Sequence, residues 1–151
     1  MLIGLHTGSI MYTNLVTDIR IAGETGYDAI EITVPKLLRY LDAGYQPEEL
    51  LPGLGSLEIP RGPSRSLVPR DRLGTGSLRV GMINSFLHIE RQDVNFRQEL
   101  LEQCERICVV ASALSCPILQ VVALNALDHE PGPAMRTKVV RSLAELADTA
   151  Q

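Results

Sequence analysis

Polar and titratable residues gather at the carboxyl ends of this chain's apolar runs: His6, Thr7 and Ser9, then Glu31 and Thr33, then Asn84, Ser85 and His88, then Asn125, Asp128 and His129. Imidazole and carboxylate groups can exchange protons near neutral pH, and carboxamides can hold hydroxyl or carbonyl oxygens in place. Glu31 is the sharpest case. It lies in "YDAIEITV", an otherwise apolar run, and an unpartnered interior carboxylate is costly, so it must meet a ligand or an interior hydrogen bond. His6 is open in the same way, between a ligand contact and an ordinary strand-end histidine. His129, between Asp128 and Glu130, reads as part of a solvated loop, because three consecutive side chains do not converge on a metal.

The elements that position these groups follow from periodicity. "LIGLHTGS" is a strand running into a loop. "NLVTDIRIAGETG" is a helix capped by Asn14 and stopped at Gly26. "YDAIEITV" is a second strand, with Ile30, Ile32 and Val34 on one face and Ala29, Glu31 and Thr33 on the other. Pro35 ends it, and "KLLRYL" and "PEELLPGLG" read as broken helical pieces. Leu78–Phe86 is a third strand. A helix from Val94 to Ser115 follows, capped by Asp93, with Leu100, Cys104, Ile107, Ala111 and Leu114 as its apolar stripe. "CPILQVVALNA" is a fourth strand, and a last helix from about Ala134 turns Val139, Leu143, Leu146 and Ala150 inward.

Strands alternating with helices of this length demand a parallel sheet. The predicted fold class is therefore α/β, built of parallel (β/α) units. In such folds ligands bind at the carboxyl ends of the strands, where these polar residues gather. A small flavodoxin-like domain is the competing α/β fold, and it lacks support because no glycine-rich phosphate loop is present.

Gly55–Leu78, "GSLEIPRGPSRSLVPRDRLGTGSL", interrupts the pattern with three prolines and four arginines. It begins and ends on Gly-Ser-Leu, and removing 57–77 leaves a helix-to-strand connection of ordinary length. A flexible insertion at 57–77 within one domain spanning 1–151 is the expectation. An ordered functional loop and a domain linker are the alternatives.

With a net charge of −4, 45% hydrophobic and 21% charged residues, the chain has the composition of a globular protein without the basic surface of a nucleic-acid binder. Its amino end lacks the pattern of a secretory signal, and no apolar run reaches membrane-spanning length. A cytoplasmic protein is expected. Cys104, Cys108 and Cys116 then read as free, buried thiols.

"LIGLHTGS", "AGETGYDAIEITV", "HIERQD…LLEQCERICVVASALSCPILQVV" and "RSLAELADTA" resemble the xylose isomerase-like TIM-barrel family of sugar-phosphate isomerases and epimerases. Glu24–Ile32, with its "G-[FY]-D-x-[IV]-E" turn, is the most specific passage. The resemblance implies the N-terminal half of a TIM barrel, about four strands and four helices. It also implies metal-dependent isomerisation or epimerisation of a small sugar or polyol, by proton transfer next to a carbonyl. The implied metal is Mn²⁺, Mg²⁺ or Co²⁺. Its ligands lie on later strands of the family's barrel, so none is expected to bind this chain alone. His6, Glu31, Asn84, His88 and Asn125 are the implied substrate-binding residues. A non-catalytic half-barrel or binding module is the alternative function. In either case an open apolar inner face and two unpaired strand edges are expected to drive self-association or pairing with a complementary half.

Overall fold

The computed structural model describes residues 2–54, 78–86, 88–123 and 132–150. The 57–77 segment and Asn125, Asp128 and His129 lie outside them.

Four parallel strands, β1 (Gly4–His6), β2 (Ala29–Thr33), β3 (Arg79–Phe86) and β4 (Leu119–Val121), form one sheet in the order β1-β2-β3-β4. The order never reverses, which excludes the flavodoxin-like arrangement. Helices α1 (Leu15–Glu24), α2 (Val34–Asp42), α3 (Val94–Ala113) and α4 (Pro133–Thr149) follow the strands in turn. Short 3₁₀ segments cover Thr7–Ile10 and Pro47–Gly53.

The helices form where local chemistry closes their ends. The Asn14 side chain accepts a hydrogen bond from the Thr17 amide at 2.8 Å, and Asp93 accepts from the Phe96 amide at 2.9 Å. Gly26, at φ 77°, lets the chain turn so that the Tyr27 amide reaches the Ala22 carbonyl. Pro35 does not end a strand that still includes Val34. Both residues open α2, a regular helix of nine residues, with the proline in the first turn where its missing amide costs nothing.

The core lies on one side of the sheet. Ile30, Ile32 and Ile83 are fully buried against Leu37, Ile107 and Leu114 of the helical layer. Each such side chain contributes about 1.5–3 kcal/mol through burial. All five expected stripe residues of α3 are buried. On α4 the outcome is mixed: Val139 and Leu146 are buried, whereas Leu143 and Ala150 are exposed. The reason is that α4 rests mainly on α3 and the Gln92 loop before it, through Arg141, Ser142 and a pairing of Arg97 with Glu145, and Leu143 and Ala150 lie off that contact. Of the three free thiols, Cys104 is buried, and Cys108 and Cys116 are half-buried.

Candidate functional site

The opposite face of the sheet carries the chemistry. In the parallel register His6 lies beside Glu31 and Glu31 beside Met82; one pleat further, Thr33 lies beside Asn84 and Asn84 beside Gln120. Register partners share a face, so the strands present His6, Glu31, Thr33, Met82, Asn84 and Gln120 together. Apart from Met82 these residues are polar, where an apolar face was expected. Ile30, Ile32, Val80 and Ile83 of the same strands went to the helical side.

Three groups from three strands meet at one atom. Nε2 of His6 lies 3.2 Å from Oε1 of Glu31 and 3.0 Å from the Asn84 side-chain amide. The two contacts serve different protonation states. With a free lone pair, Nε2 accepts from the Asn84 amide; with a proton, it donates to the Glu31 carboxylate. His6 can therefore take a proton from a ligand and have it held by Glu31. His6 and Glu31 remain partly open to solvent, with side-chain exposures of 44% and 28%, so a small molecule has access.

The loop after β1 fixes the imidazole. A Cβ added at Gly8 would lie 2.3 Å from Cε1 of His6, so the ring occupies space that only glycine leaves free. Thr7, fully buried, accepts from the Thr33 amide at 3.0 Å and ties the same loop to the end of β2. Beneath it sits an interior ion pair. The Lys36 ammonium donates to Asp18 at 2.5 Å and to the Ile10 carbonyl at 2.7 Å, and the Thr13 hydroxyl bonds both Asp18 and the Ile10 carbonyl. The carboxylate and ammonium are thus matched by hydrogen bonds, as buried charges must be.

Of the five sequence-predicted residues, the structure brings His6, Glu31 and Asn84 together. His88 stands in the loop after β3 at φ 59°, its Nδ1 3.6 Å from the Glu90 carboxylate. Asn125 lies outside the described residues. Sequence reasoning missed Gly8, Lys36 and Gln120. Gln120 had a usable signal, as the lone polar residue in "ILQVV"; Lys36 had none, because its partner is eighteen residues away.

A cavity of about 240 Å³ lies elsewhere, between α2 and α3, lined by Val34, Leu38, Phe86, Phe96 and Leu100 among others. It belongs to the helical layer and holds none of the residues around His6. Among the described residues no three His, Cys, Asp or Glu side chains converge. His6 and Glu31 offer one nitrogen and one carboxylate, fewer donors than a divalent cation takes. A metal of the implied kind would need ligands beyond these two. No helix among the described residues is long and apolar enough to cross a membrane.

Parallel units in unreversed order, with polar groups at the carboxyl ends of the strands, have the fold of half a TIM barrel. Three solved structures share it. The IOLI protein, in a structure with a bound zinc atom, superposes with a TM-score of 0.72 at 18% identity, over 100% of this chain and 48% of its own. The probable 3-DHS dehydratase AsbF of Bacillus anthracis, involved in petrobactin synthesis, gives 0.67 at 15% identity over 98% and 47%. A xylose isomerase domain protein of Alicyclobacillus acidocaldarius gives 0.67 at 15% identity over 99% and 46%. The chain thus spans about half the length of the structures it matches. No family model matches it, and no curated protein matches it in sequence.

Proposed function

We propose that this chain forms the ligand-binding wall of a sugar isomerase or epimerase site, with a small sugar or polyol as substrate. The observation that carries the proposal is the meeting of His6, Glu31 and Asn84 at the carboxyl ends of three adjacent strands. Asn84 donates to a substrate oxygen. His6 accepts a proton from a hydroxyl or from the carbon next to a carbonyl, and Glu31 stabilises the imidazolium so formed. Gln120 extends the same wall by one strand, and His88 and Asn125 belong to loops at the same end of the sheet. When bound, a divalent cation supplies polarisation of the carbonyl oxygen, and part of its ligand set comes from outside the described residues. The fold neighbours support a sugar-processing role at this level. The working compartment is the cytoplasm, and nucleic acid is not a partner.

A second reading is a non-catalytic binding module, since the wall of His6, Glu31 and Asn84 can hold a ligand without reacting with it. Two measurements on the chain separate the possibilities. Saturation-transfer NMR with a panel of pentoses, hexoses and cyclitols should show binding that is lost in Glu31→Gln and His6→Ala. Exchange of the ligand's α-proton with D₂O, with and without Mn²⁺, should then occur if the wall is catalytic. Binding without exchange supports the module. Absence of binding to every polyol, or binding indifferent to both substitutions, contradicts the site itself.

A further inference from the structure

We propose that Cys104 and Cys108 form a covalent clamp for a trivalent arsenical, with one arsenic atom bridging the two sulfurs along α3. Both residues lie inside α3, four positions apart, so their side chains share a face. The thiols hydrogen-bond to each other. Cys104 is 2% exposed and its Sγ lies 3.9 Å from the Leu146 carbonyl of α4, whereas Cys108 is half-buried. The pair is therefore held at the contact of the two helices and reached from the Cys108 side.

Geometry separates the reactions open to such a pair. A disulfide needs Cβ atoms about 3.5–4.5 Å apart, whereas residues four apart on a helix hold them about 5–6 Å apart. Closing a disulfide here would distort α3. A single atom between the sulfurs relieves the misfit. Two bonds of the zinc–sulfur length, about 2.3 Å each, reach across about 4.6 Å, where one S–S bond reaches about 2.05 Å.

The surroundings then choose the bridging atom. Zinc takes four ligands, and among the described residues no third His, Cys, Asp or Glu side chain joins the pair. Monovalent copper accepts two thiolates, but that complex carries a negative charge into a site where Cys104 is buried and Glu105 adds a charge of the same sign. Trivalent arsenic gives a neutral product. Each thiol replaces one hydroxyl of an organic arsenous acid, R–As(OH)₂, and each S–H proton leaves with that hydroxyl as water. Two As–S bonds form, arsenic stays trivalent, and no oxidant is consumed. Burial pushes the Cys104 thiol up to about 12, which opposes a bound thiolate and leaves the neutral product unpenalised. Cys116 lies past the end of α3, donating to the Ile118 carbonyl at 3.4 Å, and serves as the internal control.

Phenylarsine oxide, added in slight excess to the reduced full chain, tests the proposal by intact mass spectrometry, competition and melting. Wild type should take one arsenical per chain. Maleimide applied after denaturation should then label Cys116 alone. Excess glutathione should leave the adduct in place, and 2,3-dimercaptopropanol should remove it. The melting temperature should rise, because the bridge spans the native helix without distorting it. Cys104→Ser and Cys108→Ser should each weaken binding roughly a hundredfold, since two-point attachment becomes one-point, while Cys116→Ser changes nothing. An adduct that glutathione strips from wild type, that survives both serine variants, that consumes Cys116, or that lowers the melting temperature would each overturn the proposal. So would ready closure of a disulfide between Cys104 and Cys108 by diamide with circular dichroism unchanged. Should Cys104→Ser lose its native circular dichroism, Cys108→Ser, at the half-buried end of the pair, carries the test with the same outcomes.

Discussion

Lys36 and Asp18 form an ion pair of 2.5 Å in the interior, with side-chain exposures of 7% and 0%. Their position gives the pair a purpose beyond stability. They hold the loop after β1 from below, at the Ile10 carbonyl and through Thr13, and that loop carries Gly8 under the His6 ring. Lys36→Met should destabilise the fold by about 3–5 kcal/mol, because it leaves Asp18 charged and unmatched. Adding Asp18→Leu should recover part of that loss. Urea denaturation of the single and double variants checks this; a loss below about 1 kcal/mol in Lys36→Met would be the magnitude of an exposed pair and would contradict the buried arrangement.

Gly8→Ala separates the site from the fold. The new methyl displaces the His6 imidazole, a side chain with room to rotate on its open side, so the fold should survive with its melting temperature nearly unchanged. The contacts to Glu31 and Asn84 should be lost, and polyol binding with them. Binding equal to wild type would show that the His6 position does not matter.

The thiols should differ in reactivity. Burial, with Cys108 beside it, pushes the Cys104 thiol up to about 12, and burial also raises Cys116. Thiolate is the reactive form, so at mildly alkaline pH a thiol reagent should modify Cys104 last. In the unfolded chain Cys104 ionises near about 8.5. Its burial therefore contributes stability fully below that pH, and the contribution is lost as pH rises toward about 12. Mass spectrometry of the partly modified protein gives the order.

Asp93 should give the opposite pH response. The Phe96 amide, followed by the Arg91 charge, holds its carboxyl below the usual carboxylate range. Its contribution is present above the unfolded carboxylate pKa and is lost as pH falls through the lowered folded value. Asp93→Asn keeps a capping oxygen without the titration, so the melting temperatures of wild type and variant should converge as the solution is acidified. A constant difference from neutral pH to pH 2 would contradict the cap.

Much of this architecture is legible in the residues because it depends on short-range patterns. The alternation around Ile30, Ile32 and Glu31, the caps at Asn14 and Asp93, and the stripe from Leu100 to Leu114 all report their own surroundings. Pro35 misled because the same residue that ends a strand also suits the first turn of a helix, and only the sheet length decides between them. Leu143 misled because its periodicity is right but it lies off the contact that α4 makes with α3. At the site, His6, Glu31 and Asn84 were each visible as polar residues at strand ends. Their meeting at one nitrogen depends on sheet register, which brings Asn84 to His6 across seventy-eight residues of sequence. Gly8 and Lys36 act through that same long-range packing, which no local pattern encodes.

The most direct test of the site follows the three histidines, His6, His88 and His129, by their imidazole NMR resonances during titration with a polyol that binds. The account requires the His6 signals to move with saturating behaviour, and to stop moving in Glu31→Gln and Gly8→Ala. A titration in which the His6 signals stay fixed while the ligand binds would contradict a site built on His6, Glu31 and Asn84.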